Sequence, residues 1–313
     1  MRKVHFYLML LIVFSITACN RKAKPLRTDT MNSGNASIAT DDCFAPIIKE
    51  EIDVFQGLNP DAKINPVFTN EVNAMNLLLK DSLRLVVVAR DLTSAEFKYL
   101  KSQKLRPRSI KIAVDGIALI INNQNKDTLI TVKNLKKILT GEINDWKGLN
   151  KHSELGKIRI VFDNPNSSTV RYIKDSICRQ QPFSKNVRAQ TTNQAVIDFV
   201  SKTPNAIGII GVNWVCNPRD SNNLSFIDKI RVMSVSEADE ATEDNSYQPF
   251  AAYLVLENYP LRRDIYMITS DVQGGLPAGI MNFIGGNQGQ RIILKSGLVP
   301  ETRPMRLVSV KDK

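Results

Sequence analysis

Residues Ile160-Val161-Phe162-Asp163-Asn164-Pro165-Asn166-Ser167-Ser168-Thr169-Val170 read as an apolar strand that ends in a polar turn and opens straight into a helix. Val170, Ile173 and Ile177 then share one helical face. Such a strand-to-helix junction is the building unit of an α/β fold, and ligands of open α/β sheets gather at the carboxyl ends of strands. The first turn of the following helix offers unpaired N–H groups and a partial positive charge, which suit an anion. Asn166 and the hydroxyls of Ser167, Ser168 and Thr169 are therefore candidates to surround a tetrahedral oxyanion. Ser and Thr are also favoured there as plain N-caps, so this segment alone leaves both roles open.

The same alternation runs along the chain. Ser37 to Ala39 reads as a short strand, followed by a helix with Phe44, Ile47, Ile48, Ile52 and Phe55 on one face. Lys63 to Phe68 is strand, Val72 to Lys80 helix, and Leu85 to Ala89 an apolar run of the buried parallel type. Thr93 to Glu96 has the spacing of a capping box. Strand over Gly116 to Ile121, helix over Thr131 to Leu139, strand over Ile158 to Phe162 and helices over Val170 to Cys178 and Asn193 to Val200 continue the order. Ala206 to Ile210 is strand, Glu237 to Ser246 a loop, and Phe250 to Leu256 and Arg263 to Ile268 two further strands. Helices over Ala278 to Ile284 and Gly289 to Lys295 close the pattern. The expectation is an α/β fold with mainly parallel sheets.

Three more junctions could carry chemistry. Thr40-Asp41-Asp42 and Thr69-Asn70-Glu71 each place a carboxylate where a helix begins. Asp42 as an N-cap and Glu71 as a first-turn acid are the local alternatives to ligand contact. Val86-Val87-Val88-Ala89-Arg90-Asp91 ends a buried strand in an arginine, whose planar fork suits phosphate or an internal carboxylate such as Asp91.

The amino terminus sets the compartment. Arg2 and Lys3 precede an apolar run from Phe6 to Ile16 that falls short of the ~20 residues of a spanning helix and reads as a signal-peptide core. Ile16-Thr17-Ala18-Cys19 resembles a bacterial lipobox, so residues 1–18 are expected to leave as a signal peptide, with Cys19 acylated and residues 19–35 a flexible tether. The domain is then expected in the cell envelope, lipid-anchored and facing the periplasm or the outside. Losing Arg2 and Lys3 lowers the formal charge from +11 to about +9, a balance that suggests anionic ligands. The basic residues are scattered among acids, which argues against nucleic acid. Cys43, Cys178 and Cys216 show no C-x-x-C spacing and read as separate buried thiols, with a Cys178–Cys216 pair the alternative. His152 is the one histidine after the signal, so a Ser-His-Asp triad or a histidine-rich zinc site has little to be built from.

Four segments carry a family resemblance. Gly116 to Asn122, Leu135 to Trp146 (LKKILTGEINDW), Ala206 to Gly211 (AIGIIG) and Tyr259 to Arg263 follow one another as in the substrate-binding proteins of bacterial phosphate ABC transporters, which have the type 2 periplasmic-binding fold. The resemblance implies two lobes, residues 36–116 with 252–313 and residues 117–251, closing over one dehydrated phosphate for delivery to a permease. It implies no enzyme activity, cofactor or metal. A phosphate sensor or surface interaction module without a transport role is the alternative. Ser167-Ser168-Thr169 falls on the family's Ser-Gly-Thr loop with Ser168 in place of glycine, and Asp163 stands where the family often has arginine. Thr40-Asp41-Asp42 stands where the family's first loop is usually rich in glycine, serine or threonine, and Thr69-Asn70-Glu71 where its second is usually rich in glycine, adding acids to an anion site.

Cys19→Ala should abolish acylation and leave an uncleaved or mislocalised precursor. Metabolic labelling with fatty acid checks it; mature protein of the variant that still fractionates with lipid would place the anchor elsewhere.

Overall fold

The computed structural model describes residues 28–217, 219–220, 225–272 and 274–302. The signal segment, Cys19 and most of the expected tether lie outside the described residues. The tether's final residues are docked rather than free. Asp29 pairs with Arg84 at 2.8 Å and accepts the Leu276 N–H at 2.8 Å, and β1 begins at Gly34.

The strands are β1 (Gly34–Asp41), β2 (Ala62–Thr69), β3 (Leu85–Val88), β4 (Arg108–Ile121), β5 (Leu129–Thr131), β6 (Arg159–Phe162), β7 (Val187–Ala189), β8 (Ala206–Gly211), β9 (Arg231–Val232), β10 (Ser234–Ser236), β11 (Arg262–Thr269) and β12 (Val299–Pro300). The helices are α1 (Ala45–Leu58), α2 (Glu71–Leu79), α3 (Ser94–Ser102), α4 (Val132–Thr140), α5 (Ser168–Tyr172), α6 (Asn193–Lys202), α7 (Ala251–Val255), α8 (Leu276–Gly285) and α9 (Asn287–Lys295). A π-helical segment, Ile173–Ile177, continues α5 without a break. The capping box at Thr93 and Glu96 is present, with both reciprocal hydrogen bonds formed.

One curled sheet runs β2-β1-β3-β11-β4-β8-β6-β7, with β9 and β12 added on β4. β1 lies parallel to β2 and β3, and β6 parallel to β7 and β8. The mainly parallel arrangement expected from the alternation gives way at the centre, where β11 is antiparallel to both β3 and β4, and β4 to β8. Strand direction depends on how the chain returns, and the return from Tyr259 to Arg263 runs back along β4. β4 serves both halves of the sheet: Arg108 to Gly116 pairs with β11, and Ile117 to Ile121 with β8.

Both faces of the second half of β4 are covered, which explains the unbroken apolar run Ile117 to Ile121. Ala118 and Ile120 join a cluster with Ile38, Phe44, Val87, Met267, Val196 and Ile210 that crosses both halves of the sheet. Ile117, Leu119 and Ile121 face the other way, toward Leu135, Trp146 and Phe162. Gly208 lets α6 approach β8; a Cβ there would stand 2.7 Å from Ile120 Cγ1 and 2.8 Å from Val196 Cγ1. Phe250 to Leu256, expected as a strand, forms α7 instead. Leu254 packs over Gly116, and Arg262 Nη1 donates to the Leu254 carbonyl at 2.9 Å, which closes that short helix. The expected loop at Glu237 to Ser246 holds one 3₁₀ turn, Glu243–Asn245. All three described cysteines are free: Cys43 and Cys178 are buried and Cys216 is half-buried.

Glu51 of α1 is fully buried, and neither carboxyl oxygen has a hydrogen-bond partner among the described residues. Burial, with Glu50 adding to it, pushes its carboxyl up to about 8. A raised folded value means that the stability from the neutral acid is complete below the ordinary value of 4.5 and is lost as pH rises toward 8. Glu51→Gln should therefore flatten this slope, exceeding the parent in stability by more than about 1 kcal/mol at pH 8 relative to pH 4. Urea unfolding at both pH values measures it; parallel losses in parent and variant would mean that Glu51 has found a partner.

Candidate functional site

The carboxyl ends of β1 and β6 meet end to end against β11, and their loops bring a compact set of polar groups together. From the β1 side come Asp41, Asp42, Cys43 and Phe44. From the β6 side come Asp163 and the hydroxyl run Ser167-Ser168-Thr169, and β11 contributes Arg263. Ser167 is the N-cap of α5, its Oγ accepting the Val170 N–H at 3.3 Å while donating to Asp163 Oδ1 at 2.7 Å. Arg263, 5% exposed, donates through Nη1 to Ser168 Oγ at 2.9 Å and Thr169 Oγ1 at 3.2 Å. Its Nε donates to Asp115 Oδ2 at 2.8 Å, and the guanidinium lies 5.0 Å from the centre of the Phe44 ring. Nη2 is near the same Asp115 oxygen but makes no hydrogen bond of its own among the described residues.

Asp41 links the two sides. Its Oδ1 accepts the Cys43 N–H at 3.1 Å, and its Oδ2 accepts the Ser168 N–H at 2.9 Å. The Cys43 thiol donates to Asp163 Oδ2 at 3.2 Å and lies 3.2 Å from Thr169 Oγ1. Asn193 at the start of α6 donates to Asp42 at 3.2 Å, and Asn213 and Trp214 both donate to the Cys43 carbonyl. A second link lies beside the first: Arg171 of α5 donates to both carboxyl oxygens of Glu71 and to the Ala89 carbonyl at 2.9 Å.

Three buried carboxylates, Asp41, Asp115 and Asp163, share one buried guanidinium. Burial, opposed by the Ser168 N–H and reinforced by Asp163, pushes Asp41 up to about 6. Burial also raises Asp163 and Asp115. Burial works against the charge on Arg263, yet Asp115, Cys43 and Asp41 hold it above its ordinary value. The Cys43 thiol is driven well up by burial and by the two neighbouring aspartates, so it stays a donor. The arrangement offers hydroxyl, N–H and guanidinium donors beside carboxyl acceptors, a set suited to an oxyanion that carries a proton. Among the described residues no group of three or more His, Cys, Asp or Glu is placed to hold a metal ion.

The residues singled out from sequence divide here. Thr40, Asp41, Asp42, Ser167, Ser168 and Thr169 lie at this junction, with Thr40 Oγ1 buried and without a hydrogen-bond partner among the described residues. The cap on the turn after β1 is Asp41 rather than the expected Asp42. Glu71 is 2% exposed and bound to Arg171 and to the Ala89 N–H. Asn166 is exposed at the rim of a cavity of about 660 Å³ beside the junction. Arg90 is not among the groups gathered at the junction: Glu96 takes its guanidinium at 2.7 and 2.8 Å, and Arg90 in turn holds the Glu96 carboxyl down to about 2. Asp91 is exposed and caps the Leu92 N–H at 2.6 Å, with no part in the junction. Arg263 is the residue that the sequence reading missed. It shares the buried face of β11 with Ile265 and Met267, so the period of two placed a cation inward.

The chain matches the family model of the PBP superfamily domain over residues 27–285. A phosphate-binding protein PstS of Borreliella burgdorferi is 23% identical over 276 residues, 86% of this chain and 90% of that protein. One from Pseudomonas aeruginosa is 20% identical over 295 residues, covering 90% and 87%. A Clostridium perfringens structure with bound phosphate superposes with a TM-score of 0.72 at 20% identity, over 86% of this chain and 100% of the other. An ABC-type phosphate transport receptor from Vibrio cholerae gives 0.62 at 18%, with coverage of 86% and 100%.

Arg171→Met leaves the buried Glu71 carboxylate with the Ala89 N–H alone. Because Arg171 is a third exposed, the loss should be about 1–3 kcal/mol rather than the larger cost of a dry pair. Adding Glu71→Gln should recover part of it in a double-mutant cycle by urea unfolding. Strictly additive losses would mean that the pair is not coupled.

Proposed function

The chain belongs to the PBP superfamily, and from that premise we propose that it is an extracytoplasmic solute-binding protein that captures inorganic phosphate and delivers it to an ABC permease. The observation that carries the reading is the buried cluster of Arg263, Ser168 and Thr169 at the meeting of β1, β6 and β11. The relatives and neighbours named above that are described by ligand are phosphate binders. In this reading the half of the sheet with β1, β2 and β3 is one lobe, and the half with β6, β7 and β8 is the other. Phosphate lies between them, held by Arg263, the Ser168 and Thr169 hydroxyls and the backbone N–H groups of both loops. Lipid on Cys19 keeps the protein at the membrane, facing the periplasm or the outside.

A phosphate affinity near 1 μM corresponds to about 8 kcal/mol. A handful of charge-assisted hydrogen bonds at roughly 1.5–3 kcal/mol each supplies that. The acids set the selectivity. Sulfate near neutral pH brings no proton, so an ionised Asp163 facing it stays repelled. Hydrogen phosphate donates its proton to that carboxylate and turns repulsion into a hydrogen bond.

Calorimetry on the domain should show one phosphate bound per chain and weaker sulfate binding. Trp214, hydrogen-bonded to the Cys43 carbonyl, should report the event by fluorescence. Thr169→Ala should weaken phosphate by about 1–3 kcal/mol, and Asp163→Asn should narrow the preference over sulfate. No phosphate binding would remove the reading, and equal sulfate and phosphate binding by the parent would remove the acceptor role.

A further inference from the structure

Asp41 does more than its position requires. Capping the turn that follows β1 uses only the bond from the Cys43 N–H to Oδ1. Oδ2 reaches across to the Ser168 N–H, 127 residues away in the chain and on the other half of the sheet. The two oxygens of one carboxylate thus bridge two backbone donors on opposite sides of the junction, as two oxygens of a bound oxyanion would. The side chain is fully buried, and so is its setting: Arg263, whose Nη2 makes no hydrogen bond among the described residues though it is ion-paired with Asp115, Thr40, whose Oγ1 makes none among them either, and the Ser168 and Thr169 hydroxyls. Nothing in capping accounts for that enclosure.

We infer that Asp41 is a tethered competitor for the oxyanion seat: its carboxylate holds the two halves together through Ser168, and a solute anion enters by displacing it. The inference rests on the phosphate reading of the preceding subsection and makes Asp41 a determinant of its affinity and selectivity. The competitor is held in a poor setting. Asp163 from the end of β6 adds negative charge, Asp42 and Cys43 follow it in the chain, and Arg263 of β11, the cation whose charge acts on it, is itself bound to Asp115. Burial and Asp163 drive its carboxyl upward, so the charged side chain is easier to move out than a well-solvated cap would be. A ligand that offers more acceptor oxygens to these donors, and a proton of its own to Asp163, therefore takes the seat, whereas a fully ionised anion meets Asp163 with no proton to give it.

The sign of one substitution separates this role from that of a ligand-contacting acid. When the competent form is only a fraction of the molecules, apparent affinity falls by that fraction, so removing a competitor strengthens binding. Asp41→Ala should bind inorganic phosphate about tenfold more tightly or better, with sulfate gaining at least as much. Asp41→Asn, which can still cap the turn, should fall between the alanine variant and the parent and guards against a folding defect. Small-angle scattering supplies the second readout. The phosphate-free parent should be as compact as its phosphate complex, while phosphate-free Asp41→Ala should expand and contract again with phosphate. Weaker or unchanged phosphate binding by both variants, beside a parent that binds, overturns the competitor role. If neither the parent nor the variants bind phosphate, the phosphate reading fails, and scattering alone decides the bridge: expansion of Asp41→Ala supports it, and an unchanged radius overturns it.

Discussion

A guanidinium cannot be left unpaired in a protein interior, and Arg263 is the interior cation around which this fold is arranged. Its partner Asp115 comes from the middle of β4, where the pairing of that strand passes from β11 to β8. The hydroxyls that take its Nη1 come from the start of α5, and the Phe44 ring covers the guanidinium. Placing these groups around one cation requires the carboxyl ends of β1 and β6 to meet the amino end of β11, and the antiparallel pairing of β11 with β4 sets Arg263 opposite Asp115.

The charge balance at this point explains the unusual acids. With Arg263 committed to Asp115, two further buried carboxyls have no cation of their own, and hydrogen bonds take its place. Asp41 receives two backbone N–H groups; Asp163 receives the Ser167 hydroxyl and the Cys43 thiol. The junction therefore carries more carboxyl acceptors than cations to meet them.

Much of this was legible in the sequence. The alternation of periods gave the α/β order, and the run of three hydroxyls after Phe162 marked the loop where ligand and cap roles overlap. Ser167 turns out to be the cap, while Ser168 and Thr169 face Arg263. What the sequence did not yield is pairing over long separations. Arg90 next to Asp91 invited a local pair, yet the bidentate partner is Glu96 in the first turn of α3. Phe250 to Leu256 is continuously apolar, a pattern that helix and strand share, and packing of Leu254 on Gly116 decided for the helix. The inward face of β11 was readable from its alternation, but a charge on that face gains meaning only when its partners 148, 95 and 94 residues away are known.

The Cys43 thiol gives the closed junction a chemical clock. It is fully enclosed, and burial beside Asp163 and Asp41 keeps it protonated, so it is a poor nucleophile and out of reach of solvent. Parting the two loops would remove the enclosure and one of the aspartates at once. The thiol would then ionise more readily just as it became accessible, and the rate of its alkylation would count partings of the two loops.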